Sequence, residues 1–177
     1  MNKQRRDQIE SRAEQILRNG SAYRAPVPLD LVLQSLQLMT QPTGLDDDIS
    51  GVLVVENKRA GIGYNSNHAP VRQRFTIAHE IGHYVLHVSK PLQPRLFIDR
   101  YVVFRRDGAS AVANDQEEVE ANAFAAALLM PAEFLREEIR KSDFDLDDDD
   151  DVIRLAKKFN VSTSAMSNRL AYLGLLR

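Results

Sequence analysis

An α+β fold, with a helix-rich body and a small antiparallel sheet, is what this sequence predicts. Three observations carry that expectation. Apolar residues recur at helical spacing in several separate stretches, above all 5–18, 71–88 and 115–130. Between the first two lie a pair of short runs, GVLVV (51–55) and AGIGYN (60–65), parted only by ENKR, which read as a β-hairpin. The chain of 177 residues, 44% hydrophobic, is long enough to bury one sizeable core.

The elements follow in order. Residues 5–18 place Ile9, Ala13, Ile16 and Leu17 on one helical face, and Gly20 stands where that helix should stop. PLDLVLQSLQL (28–38) reads as a second short helix with Pro28 near its first turn. The polar stretch 40–50 reads as loop. After the hairpin, 71–88 is helical, with Phe75, Ala78, Ile81, Gly82, Val85 and Leu86 at the required spacing. RLFIDRYVVF (95–104) reads as another strand, and 107–115 as loop. The helix formers of 115–130 end at Pro131, and 131–141 opens a further helix.

DFDLDDDDD (143–151) invites comparison with a calcium loop. An EF-hand needs glycine at loop position 6 and a carboxylate at position 12; counted from Asp143, those positions hold Asp148 and Arg154. The run is read instead as a solvated linker that supplies carboxylates to a helix N-terminus. Beyond it, 152–176 reads as helix, turn at Asn160–Val161, then a second helix capped by Ser162, a helix-turn-helix-like tail. The expected division is an N-terminal helical segment (1–48), a core (49–142), and the linker and tail packed on that core (143–177).

Bulk properties exclude several classes. The net charge of −2 recommends neither nucleic acid nor an anionic membrane as partner. The second tail helix offers only Arg169 as a cation, with aspartates just upstream, so direct nucleic-acid binding is not expected. With no cysteine, disulfides are excluded and any transition-metal site must be built from imidazole and carboxylate. The start, MNKQRRDQIE, has no apolar stretch behind its basic residues. The longest apolar run, 123–130, is far short of the roughly 20 residues of a membrane span. A soluble, cytoplasmic protein is expected, with no membrane partner; nothing in the sequence speaks to its oligomeric state.

The chemistry concentrates in FTIAHEIGHYVLH (75–87). On a helix, residues four apart share a face about 6 Å apart along the axis, so His79 and His83 can both reach one zinc ion at about 2.0–2.1 Å. His79 and His87 are about 12 Å apart along the axis and cannot. Glu80 decides for 79/83 over 83/87. One residue beyond His79, it can approach a water on the metal without being a ligand, which is the H-E-x-x-H pattern of zinc proteases. Zinc lowers the pKa of such a water to about 7, and Glu80 takes its proton as it attacks a polarised carbonyl. Gly82, costing about 1 kcal/mol in a helix interior, hints that something packs close to the backbone there. His87 is expected to support the ligands or the core.

A catalytic zinc usually has three protein ligands. The candidates are His68 or an acid of EEVEANAFAAALLMP (117–131). Glu118 best continues the apolar stripe through Ala121, Ala125 and Leu128, Glu120 is the runner-up, and Asn122 is placed to accept the second ring N–H of a liganding histidine.

RFTIAHEIGHYVLH followed by EVEANAFAAALLMP resembles the ImmA/IrrE family of zinc metallopeptidases, over roughly residues 50–140. The resemblance implies a gluzincin-like, zincin-type core, with His79 and His83 as zinc ligands and Glu80 as general base. It matches the family's glutamate to Glu118, reading E-x-E-A-N-x-F-A over 118–125. It further implies a zinc-dependent endopeptidase whose protein substrate is a helix-turn-helix, DNA-binding repressor, in the setting of a mobile element or a stress response. Tyr64, His68 and Tyr101 are candidate oxyanion donors, and the 51–65 hairpin is expected to offer an edge strand to an extended peptide. Two other readings stand beside the peptidase: a non-catalytic, zinc-stabilised binding module of the toxin–antitoxin or regulatory kind, and a transcription factor using the tail on DNA.

Overall fold

The computed structural model describes residues 1–56, 59–88, 95–100, 112–142, 144 and 148–176. Along them the chain runs α1 (Lys3–Asn19), α2 (Leu29–Leu36), β1 (Met39–Thr43), β2 (Ile49–Glu56), β3 (Arg59–Asn65), α3 (Pro70–His87) and β4 (Arg95–Arg100). It then continues through α4 (Val112–Leu129), α5 (Ala132–Ser142), α6 (Asp149–Phe159) and α7 (Thr163–Tyr172). This is an α+β architecture with a small sheet, as the hydrophobic periodicity predicts.

Local chemistry sets several of the boundaries. The Asn2 side chain accepts the Arg5 N–H at 2.9 Å, satisfying one of the amides a helix start leaves unpaired, and Gly20 closes α1. The stripe Ile9, Ala13, Ile16, Leu17 is buried. Pro28 is the N-cap of α2, beside the first turn where the sequence places it. Asp148 caps α6, and Asp149, Asp150 and Asp151 fill its first turn, where carboxylates meet the positive end of the helix dipole. Asn160 ends α6 in the left-handed region and Ser162 caps α7, the turn and cap read from the sequence.

The sheet differs from expectation in one respect: it is mixed. Its order is β1-β3-β2-β4. β2 runs antiparallel to both β3 and β4, with Leu53 opposite Ile62 on one side and Phe97 on the other. β1 pairs with β3 in parallel, Met39 to Thr43 against Gly61 to Asn65. Residues 39–43, most of them read as loop, lack apolar alternation because this edge strand is largely exposed. Backbone pairing holds it rather than burial, and an edge tolerates Pro42. The loop into β2 is held by the Asn65 amide, which donates to the carbonyls of Leu45, Asp46 and Ile49. A second correction follows from the strand order. The hairpin 51–65 is interior, so its strands do not offer an edge to a peptide; among the described residues β1 and β4 are the outer strands. At the other end of the chain's central part, the helical turns of α4 begin at Val112, within the stretch read as loop. Tyr101 and the rest of 101–111 lie outside the described residues.

α3 is the central element, packed between the sheet and α4, and buried on both sides: Thr76, Ala78, His79, Glu80, Ile81, Gly82 and His83 are all inaccessible. Gly82 explains the close approach of α4. A Cβ there would stand 3.1 Å from both the Cα and the carbonyl oxygen of Ala121, and 3.3 Å from Phe124 Cβ. α1 packs against α4. One apolar cluster joins Ile9 and Leu17 to Leu53 and Ile62, to Ile81 and Phe124, and to Leu155, Phe159 and Leu170 of the tail. Arg169, the cation of α7, is 2% exposed. Its guanidinium forks onto the Glu10 carboxylate and its Nε donates to the Met130 carbonyl at 3.0 Å. It ties the tail to α1 and α4 and is not presented to a phosphate. No helix among the described residues is long and apolar enough to cross a membrane.

Candidate metal centre

Two helices build the site. α3 carries His79, Glu80, His83 and His87, and α4 carries Glu117, Glu118, Glu120 and Asn122. Because His79 and His83 are one turn apart, their rings converge, Nε2 to Nε2 at 3.0 Å. Glu118 reaches across from α4 and straddles the pair, Oε2 at 3.2 Å from His79 and Oε1 at 3.2 Å from His83. Both imidazoles are almost wholly buried while the Glu118 side chain is 42% exposed, so the site opens on the glutamate side. Burial pushes the Glu118 carboxyl up, but its contacts with the two rings outweigh it and hold its pKa at about 2. It is an anion facing two ring nitrogens.

This donor set suits a metal ion. Atoms about 2.0–2.1 Å from a tetrahedral zinc stand about 3.3–3.4 Å from one another, and separations of 3.0, 3.2 and 3.2 Å lie close to that. His79, His83 and Glu118 therefore form a group able to hold one. His83, His87 and Glu117 form another such group among the described residues, sharing His83 with the first.

The neighbours are equally specific. Asn122 Oδ1 lies 3.1 Å from His79 Nδ1, the place anticipated for it. Glu120 turns away from the pair. Its Oε2 meets Arg5 of α1 at 2.5 Å and His87 Nε2 at 3.3 Å, while Oε1 accepts from Gln116 at 3.2 Å. The hydrogen bond from Arg5 is the largest cause that lowers the Glu120 pKa to about 2, against the opposing effect of burial. Burial pushes the His87 pKa down, the Glu120 contact opposing it. His68, half-buried in the turn before α3, belongs to neither metal-binding group; its backbone carbonyl accepts from Gln73 at 2.7 Å.

Glu80 is fully buried against β2. The strand leaves room for it at Gly51, where a Cβ would come within 2.4 Å of Thr76 Cγ2 and 2.9 Å of Glu80 Oε1. Sequence reasoning missed Gly51, although a glycine inside a strand is itself a signal of close approach. It also missed Arg5, for which a separation of 115 residues from Glu120 leaves no local signal. Tyr64 pairs directly with Gly51 across the β2–β3 ladder, so it shares the sheet face that Glu80 packs against.

The chain is similar to known proteins. It is 29% identical to the "Uncharacterized immunity region protein 2" of Bacillus phage phi105 over 126 residues, 71% of this chain and 72% of that one. A family model described as the IrrE N-terminal-like domain, Peptidase_M78, matches residues 27–171, a span that takes in β1 to β4, α3, α4 and nearly all of the tail. With the two-helix site inside that span, the chain belongs to the IrrE N-terminal-like peptidase family.

Proposed function

We propose that this protein is a zinc-dependent endopeptidase that cuts a regulatory protein, a helix-turn-helix, DNA-binding repressor, in the cytoplasm. One observation carries the reading: two imidazole Nε2 atoms and the Glu118 carboxylate converge within 3.2 Å beside a second, wholly buried carboxylate, Glu80. His79, His83 and Glu118 would hold the ion; bound there, zinc supplies the Lewis acidity that acidifies a water and polarises a peptide carbonyl. Glu80, one residue from a ligand yet outside the ligand triangle, takes the proton of the attacking water on its carboxylate. The water oxygen bonds to the carbonyl carbon, the C–N bond breaks, and Glu80 returns the proton to the leaving amine. Asn122 orients His79 by accepting its Nδ1–H. Tyr64, sharing the face of Gly51, is the oxyanion donor this reading favours over His68.

A repressor as substrate is supported by the likeness to a phage immunity-region protein. The test pairs two variants with the repressor encoded nearest to this protein. Glu80→Gln is expected to keep one zinc per chain and lose cleavage by about 10²–10⁴-fold, whereas His79→Ala loses the zinc as well. Full cleavage by Glu80→Gln would remove Glu80 as the general base, and a zinc-loaded wild type that leaves the repressor intact would replace the peptidase with the zinc-stabilised binding module.

A further inference from the structure

Beyond the ligands, a chain of polar contacts runs from His83 out to the first turns of α1. His83 Nδ1 lies 3.2 Å from His87 Nδ1. His87 Nε2 lies 3.3 Å from Glu120 Oε2, and that same oxygen takes Arg5 Nη2 at 2.5 Å. We propose that His87, Glu120 and Arg5 form a directional relay that fixes His83 with its proton on Nδ1 and its Nε2 lone pair turned to the metal, making His87 a positioning residue. The proposal rests on the zinc reading above.

With His87 neutral, each atom in the relay takes its role from its neighbour. Guanidinium can only donate, and an ionised carboxylate can only accept. With Arg5 on Glu120 Oε2 and the Gln116 amide on Oε1, Glu120 is an acceptor throughout, so His87 Nε2 must carry a hydrogen. A neutral imidazole has one N–H, which leaves a lone pair on His87 Nδ1. Only one proton fits between two ring nitrogens 3.2 Å apart, so it belongs to His83 Nδ1. His83 Nε2 is then bare, and it is this atom that faces His79 Nε2 and Glu118 Oε1. The opposite direction would set the lone pairs of His87 Nε2 and Glu120 Oε2 against each other at 3.3 Å.

The two ligand rings thus reach the same tautomer by different means. Asn122 acts on His79 from α4, one side chain deep. For His83 the acceptor is a second imidazole, and the carboxylate that orients that imidazole is itself held from α1. A carboxylate or carbonyl behind a metal-ligating histidine raises its basicity and fixes its ring, and losing one typically costs about 10–100-fold in metal affinity. The relay extends that dependence to a helix at the far end of the chain.

The experiment is competition for zinc against a chelator, on the full chain, with melting temperature of the metal-free protein measured alongside. His87→Leu, which keeps apolar bulk but no acceptor, is expected to weaken zinc binding about 10–100-fold at unchanged stoichiometry. His87→Gln, whose amide offers an acceptor and a donor in the same order, is expected to recover most of that loss. Arg5→Ala, at the partly exposed end, should weaken binding by a few fold, and should add nothing further in the His87→Leu background. Wild-type affinity in a folded His87→Leu would overturn the relay, as would a glutamine no better than leucine. Two zinc ions in the wild type, one of them lost with His87, would assign the ion to the His83–His87–Glu117 group and also overturn it. If the wild type binds no zinc at all, the peptidase reading falls first and takes the relay with it.

Discussion

Glu80 and Gly51 are best understood together. A buried carboxylate beside an ion can act only if its oxygens have somewhere to sit, and β2 provides that place by omitting a side chain. Thr76 and Glu80, one turn apart on α3, both lean on the gap. Gly51→Ala is therefore expected to cost about 1–3 kcal/mol of stability by overpacking, and to swing Glu80 away from its position, lowering proteolysis while zinc binding persists. Adding Thr76→Ala, which removes the methyl only 2.4 Å from the new Cβ, should restore most of the stability and little of the activity, since the contact with Glu80 remains. Denaturant unfolding and a cleavage assay on the two variants separate these effects. Recovery of full activity in the double variant would show that Glu80 was never displaced.

The packing of α3 on α4 sets the His79–His83–Glu118 triangle, because the two histidines ride on one helix and Glu118 on the other. Their approach is limited by Gly82 against the backbone of Ala121. An alanine at 82 would improve helix propensity by about 1 kcal/mol. Its Cβ, however, would meet backbone atoms that can yield only if the whole of α4 moves. Gly82→Ala is expected to be destabilising on balance and to weaken zinc binding, because separating the helices draws Glu118 off the imidazole pair. Chelator competition and thermal melting check both; a more stable variant with unaltered zinc affinity would refute this account of the interface. The tail is held in a different manner. Arg169 spends its guanidinium on Glu10 and its Nε on Met130, inside the molecule. That contact makes α7 a buttress of the α1–α4 pair and removes the one cation on which a DNA-reading role for that helix depended.

Across the molecule, a metal ion bound between α3 and α4 would clamp the layer that lies against the sheet to the layer that carries α1. Ligands that bind the folded state alone stabilise it by mass action, about 2.7 kcal/mol at a hundredfold excess over the dissociation constant. Saturating zinc is therefore expected to raise the melting temperature of the wild type by several degrees, an increment that chelator reverses and His79→Ala abolishes. An unchanged melting temperature with zinc demonstrably bound would mean that the ion does not bridge the helices.

Much of this architecture is written in local patterns. Spacing of 3.6 exposes the helices, the paired runs at 51–65 expose a hairpin, and two histidines four apart on one helix share a face whatever surrounds them. Asn160 and Ser162 announce the tail turn through chemistry confined to a few residues. Other features carry no such trace. β1 is polar and exposed and takes its strand conformation from β3, so no apolar alternation marks it. That Glu118 faces the imidazoles while Glu120 faces Arg5 depends on the rotation of α4 against α3 and α1, a matter of which glycines and alanines let helices touch. A short-range pattern can say that a ring or a carboxylate is available. Which atoms meet is set by packing between segments far apart in the chain, where burial and electrostatic pairing act on the folded surface as a whole.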